Sequence, residues 1–197
     1  MVLVHKLEEN FNNKAIITFN TELKVEKSFI SNDFIINLDS KNKVHSAILK
    51  NANKYIDNYS QKRNFFSLDL VHLPELTHIF SENNFEYDNF KKFVKAKILD
   101  KQNHPKSDKL YVIELEYGSE KTRKIVTNST EVIIGDEIFF IMPGSIIFDG
   151  TEIVNGQVMG VDSPGMLLSY KSLGLENEYG DGLVQDKNLK IGEELSF

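Results

Sequence analysis

The sequence predicts a mainly β protein in two parts: a small α+β domain over residues 1–89 and a closed barrel of about five short strands over residues 90–197. Three observations predict it. Apolar residues alternate with polar ones in several runs, the period of two that suits a strand with one buried face. Glycine and proline interrupt those runs at short intervals, as turns require. Only one stretch shows helical spacing, so little of the core can be helical.

In the first part, residues 15–19 (AIITF) form a short β-type run. Residues 34–38 and 44–49 are two more, and the polar spacer DSKNK between them fits a hairpin loop. Pro74 is a good first helical residue, and Leu76, Ile79 and Phe80 then share one face, so a short helix starts there. Residues 81–89 are polar and read as a linker. In the second part, Val94, Ala96 and Ile98 alternate with Lys95 and Lys97, and residues 103–105 break that strand. Tyr111, Ile113, Leu115 and Tyr117 mark a second strand, residues 123–127 a third, and residues 137–142 a fourth that stops at Pro143-Gly144. A meander with Gly150, Gly156 and Gly160 leads to residues 166–168, which close the barrel.

Composition narrows the function. Apolar residues make up 41% of the chain and charged residues 26%, ordinary for a folded globular protein. There is no cysteine, which excludes a disulfide scaffold, a thiolate zinc site and a cysteine nucleophile. The N-terminus has no basic segment followed by an apolar run, and the apolar stretch 138–148 is too short to span a bilayer. A cytoplasmic protein without a membrane segment is expected. The net charge of −6 argues against bulk nucleic-acid binding. Its distribution is uneven: residues 91–124 hold ten Lys/Arg against five Asp/Glu, and residues 125–197 hold three against twelve. A basic strip beside an acidic remainder suits a local phosphate contact; solvated lysine-rich strands would give the same pattern.

Four segments stand in order over about half the chain: His104-Pro105-Lys106-Ser107-Asp108-Lys109-Leu110; residues 123–128 (RKIVTN); Met142-Pro143-Gly144-Ser145; and residues 160–169 (GVDSPGMLLS). Together they resemble the tRNA-binding OB domain. That domain is appended to bacterial methionyl-tRNA synthetases, embedded near the N-terminus of the phenylalanyl-tRNA synthetase beta chain, and found in stand-alone tRNA-binding proteins. With a small domain in front, the chain also looks like the stand-alone YtpR-type proteins. The resemblance implies that the barrel is a five-stranded OB fold, that its partner is structured tRNA, that no cofactor or metal is needed, and that it is not an enzyme. It also implies an aminoacyl-tRNA synthetase as a candidate partner, and it admits a homodimer, since two barrels double the contacts. The sequence departs from the family twice. Asn128 replaces a usual glycine after the third strand, a position where asparagine tolerates the left-handed conformation, and Pro164 replaces a usual glutamate.

The expected RNA-binding residues are Lys106, Ser107, Lys109, Arg123, Asn128, Met166 and Ser169. Lys106 and Lys109 can neutralise phosphates and Ser107 can donate to one. Asp108 is expected to organise the loop through an Asx-turn. Arg123 and Lys124 lie on opposite strand faces, and Arg123 is the choice because a guanidinium grips a phosphate bidentately and stacks on a base; a salt bridge to Glu114 or Glu116 is the competing reading. Asn128 and Ser169 offer hydrogen bonds to base edges or 2′-hydroxyls, and Met166 a flat apolar contact unless it only fills core. His104, without a ligand-spaced carboxylate, reads as structural. The acidic tail (Glu176, Glu178, Asp181, Glu193 and Glu194) reads as a solvated face. An alternative from another class is a protein-interaction scaffold whose barrel has lost RNA affinity. No nucleophile elbow, P-loop or metal-ligand spacing supports an enzyme.

Overall fold

A computed structural model of the chain describes residues 1–7, 11–119 and 121–197. It divides into two compact units. Unit 1 comprises Met1–Phe90, Gly144–Gly150 and Ser196–Phe197; unit 2 comprises Lys91–Pro143 and Thr151–Leu195.

Unit 1 is a six-stranded antiparallel sheet. Its strands are β1 (Val2–Lys6), β2 (Ala15–Thr18), β3 (Lys27–Ile30), β4 (Phe34–Leu38), β5 (Val44–Leu49) and β6 (Phe65–Leu68), in the order β3-β4-β5-β2-β1-β6. The expected hairpin is present: the Asp39 carboxylate accepts from the Lys41 and Lys43 amides, closing the loop between β4 and β5. Helix α1 (Ala52–Tyr55) is a single turn, and α2 (Pro74–Glu82) begins at its proline and buries Leu76 and Phe80 against the sheet's apolar face. Strands β1, β3 and β6 escape the alternation rule. Val2, Leu3 and Val4 are all buried, so β1 has no polar face, whereas β3 is a mostly exposed edge. Residues 81–89 are not a free linker, because the Val44 amide donates to Glu86 O and Phe85 packs on the core.

His5 sits inside unit 1, stacked on Phe65 at 4.3 Å, with Nε2 donating to Ile147 O at 3.1 Å. Burial lowers its pKa, more than the carbonyls of Ile147 and Phe148 and the charge of Asp149 raise it. The unfolded chain therefore binds the proton more readily than the folded one. Stability is present above the ordinary histidine pKa of about 6.5 and falls as the pH drops below it. Urea melts between about pH 7 and pH 5 should show this loss for unit 1, and His5→Gln should flatten it.

Unit 2 carries β7 (Phe93–His104), β8 (Ser107–Glu116), β9 (Thr122–Thr127) and β10 (Glu137–Ile141). Beyond β11 (Ser145–Ile146) of unit 1, it adds the two-residue strands β12 (Glu152–Ile153), β13 (Gln157–Val158), β14 (Val161–Asp162) and β15 (Met166–Leu167). The main sheet runs β15-β10-β7-β8-β9, antiparallel throughout. Val94, Ala96, Ile98, Ile113, Leu115, Ile125, Ile138, Phe140 and Leu167 point to one side and form its core. The expected closed barrel is corrected: the backbone ladder is open between β9 and β15. Side chains bridge that seam instead. Ser163 Oγ accepts from the Val126 amide at 2.9 Å, and Arg123 Nη1 donates to Pro164 O at 3.0 Å. The strand break expected over residues 103–105 is present: β7 ends at His104 and Pro105-Lys106 turn the chain, after register shifts past Ile98 and past Asn103.

The C-terminal stretch fills an edge that β8 leaves open. β8 pairs only with residues 97–104 of β7; on the first half of β7, the Lys95 amide donates to Glu193 O and the Leu195 amide to Phe93 O. Among the described residues, no helix is long and apolar enough to cross a membrane.

Candidate functional site

Strand parity decides what β8 and β9 offer to a ligand. Ile113, Leu115 and Ile125 face the core, so Leu110, Val112, Glu114, Lys124 and Val126 face outward. On that outer face lies a groove of about 700 Å³. Leu110 and Val126 form its floor. Ile153, Val154, Val158, Met166 and Leu183 supply apolar walls, and Thr127, Asn128, Ser163, Ser169 and Ser172 supply hydroxyl and amide groups. Lys171 lines it too, against the carboxylates of Glu131, Glu152 and Asp181. The groove therefore suits an uncharged, hydrogen-bonding, partly apolar group better than a phosphate, whose cations must stand around it.

Three expected residues, Asn128, Met166 and Ser169, meet in this groove; Lys106, Ser107, Lys109 and Arg123 do not line it. Met166 follows Gly165 into β15 and points away from Leu167, which enters the core. Ser169 Oγ accepts from the Ser172 amide at 3.2 Å and pairs with Ser172 Oγ at 3.0 Å, fixing the turn that carries Lys171. Asn128 is exposed and is absent from the residues of positive φ, so this turn does not use the left-handed conformation expected for a glycine replacement.

Lys106 lies with Pro105 in the tight turn that joins β7 to β8, and Ser107 is the first residue of β8, paired with His104. His104, 4% exposed, builds that turn: its Nδ1 accepts from the Lys106 amide at 3.1 Å, which leaves Nε2 to donate to Val158 O at 3.1 Å. Ser107 Oγ accepts from the Lys109 amide at 3.3 Å. His104 and Ser107 thus organise the loop, where Asp108 was expected to; Asp108 lies exposed within β8. Lys106 and Lys109 are exposed.

Arg123 stands on the core side opposite Leu115, its guanidinium on Pro164 O and 5.7 Å from the Tyr117 ring centre. Lys109 lies six residues back along β8 from Leu115, roughly 20 Å at the rise of a strand, so the lysines of the turn and Arg123 do not form one cluster. Lys124 occupies the outer face and pairs loosely with Glu114 at 3.6 Å, a contact of little strength at such exposure. The competing salt bridge to Glu114 is thus made by Lys124, not Arg123. Parity was the signal that could have found Lys124, since buried Ile125 forces its neighbours outward. Nothing local marks Lys171, which lies in a short turn after β15.

Comparison with known proteins agrees with this segment. Residues 93–194, more than half of the chain, match the family model described as "Putative tRNA binding domain". The chain is 41% identical over 95 residues to the phenylalanine–tRNA ligase beta subunit of Leptospira interrogans, covering 48% of this chain and 11% of that one. It is 32% identical over 114 residues to the same subunit of Sulfurimonas denitrificans, covering 56% and 14%. The chain thus spans about an eighth of the length of these relatives. Among solved structures, a MetRS-related protein from Pyrococcus horikoshii aligns with a TM-score of 0.39 at 19% identity, over 53% of this chain and 89% of that one. With the match covering β7 to the C-terminal stretch, the chain belongs to the tRNA-binding domain family.

Proposed function

We propose that this chain is a cytoplasmic, non-catalytic tRNA-binding protein, and that unit 2 is an OB-type fold whose open β9–β15 seam is bridged by Ser163 and Arg123. The observation that carries the reading is the outer-face groove of the family-matched segment, where Asn128, Ser169 and Thr127 offer hydrogen bonds beside the apolar surface of Met166. Such a mixture fits ribose 2′-hydroxyls and an unpaired base. Phosphates are held around it by Lys106 and Lys109 at the β7–β8 turn, Lys124 on the outer face and Lys171 at the wall. Arg123 acts from beneath, by fixing the Pro164 loop. The relatives are subunits of an aminoacyl-tRNA synthetase, which makes such an enzyme a candidate partner.

Four cations imply a slope of log affinity on log salt of about −3, so affinity for tRNA should fall about 50-fold between roughly 50 and 200 mM salt. A gel-shift titration with total tRNA, competed by duplex and by single-stranded RNA, measures this. Lys106→Ala with Lys109→Ala should reduce the slope by about 1.5. An unchanged slope would remove both lysines from the site, and failure of the wild type to retain tRNA at low salt would end the reading. In that event the second reading gains, a protein-binding scaffold. The carboxylates of Glu131, Glu152 and Asp181 at the groove favour it.

A further inference from the structure

Five non-glycine residues among those described have positive φ, and four are asparagines: Asn13, Asn42, Asn58 and Asn84. The fifth is Met159, at φ 50°, followed by Gly160 at φ 86°. Together they make the two-residue turn of the β13–β14 hairpin, with both central residues left-handed. That turn prefers Asn-Gly, because asparagine tolerates the conformation and offsets it with local hydrogen bonds. Methionine has no such compensation. The residue is also 54% exposed, so core packing does not explain its presence.

The surroundings suggest what it meets. The hairpin is held across its strands by Gln157 Nε2 donating to Asp162 Oδ1 at 2.7 Å, and pinned from below by His104 on Val158 O. Val158, next to Met159, is exposed and lines the groove, as does exposed Val154. At the tip itself, the Lys106 ammonium lies 3.0 Å from where a Cβ on Gly160 would stand. The glycine leaves space for the cation. An exposed, polarizable thioether thus stands at the tip of a hairpin whose neighbouring Val158 lines the groove and whose Gly160 lies against the Lys106 ammonium, and a buried histidine organises both turns.

We propose that Met159 is a nucleotide-contacting residue: its thioether receives the face of an unpaired tRNA base while Lys106 takes the adjoining phosphate. This rests on the tRNA-binding reading and extends it to a hairpin outside the residues expected from sequence. The chemistry selects the ligand. Sulfur makes favourable contacts with aromatic rings, and a single cation next to a small apolar tip matches one nucleotide, not a membrane surface. A fully paired helix keeps its base faces stacked inside and cannot offer one.

Met159→Asn separates contact from folding, since asparagine suits the turn but lacks the thioether. It should melt at or above the wild-type temperature while binding tRNA about 2- to 10-fold more weakly, with its affinity for a fully paired duplex and its salt slope unchanged. Lys106→Ala should instead lower the slope by about one for both RNAs. If the wild type retains tRNA and Met159→Asn retains it equally well, this inference is overturned and the tRNA-binding reading stands. If Met159→Asn melts below the wild type, the methionine is a packing residue and the inference is again overturned. If the wild type retains no tRNA, both fall.

Discussion

Replacing Gly165 by alanine should lower the melting transition of unit 2 by roughly 10–25 °C. Two costs combine. Gly165 has φ +130°, a region that a residue with a Cβ enters only at about 1–3 kcal/mol. The added Cβ would also lie 2.7 Å from Ile141 O, a backbone atom held in the β10–β15 pairing that cannot step aside without breaking it. Overpacking of that kind adds about 1–3 kcal/mol. Gly135 is the control. It has φ +98° but nothing within 4 Å of the place its Cβ would take, so Gly135→Ala should show the backbone cost alone. Far-UV circular dichroism melts of the two variants decide the matter, and equal shifts would refute the close approach of β15 to β10. The consequence reaches the groove, because β15 carries Met166 into it while Ser163 and Pro164, just before β15, bond to β9.

How much of this was legible in the sequence depends on the physical signal each feature leaves. Strands with one buried face announce themselves, so β7 and β8 were readable from the alternation at residues 94–98 and 111–117, while β2, β4, β5, β9 and β10 were readable as β-type runs set off by turn residues. β1 and β6 were not, because consecutive residues such as Val2, Leu3 and Val4 or Phe65 and Phe66 are buried together. The groove was half legible. Asn128, Met166 and Ser169 followed from the motifs, and the structure brings them together. Arg123 was chosen over Lys124 for the chemistry of its head group, yet register places it on the core side. Side-chain chemistry says what a residue can do, whereas strand parity says whom it can meet, and the parity was available from Ile125. The seam was beyond reach: a ladder that stays open while Ser163 bonds the Val126 amide depends on a contact 37 residues away in sequence.

The same kind of long-range contact governs the second large effect. Lys95 alternates with core residues on β7 and reads as a solvated lysine, but it is 3% exposed. Its ammonium donates to Asp186 O and Leu189 O, both at 2.8 Å, and meets Glu137 Oε2 at 2.9 Å. Glu137 is half exposed, so the ion pair itself is screened and contributes little. The two carbonyl bonds, made by a buried charge, are the stronger part at about 1.5–3 kcal/mol each. Lys95→Met keeps the stem and strands both carbonyls, for an expected loss of about 2–4 kcal/mol once partial rehydration is allowed for. The loss should begin in the C-terminal stretch. Hydrogen exchange at the Gly192 and Leu195 amides, which bond to β7, should rise before the central strands open. It should also reach the groove, because the Val184 amide bonds to Leu168 O and Gly182 O to the Tyr170 amide, holding Asp181 and Leu183 in its wall. Weaker tRNA binding by Lys95→Met, with no lysine of the outer face touched, would show that a buried cation shapes the groove. A variant that melts within about 1 °C of the wild type would reduce Lys95 to a space-filling stem.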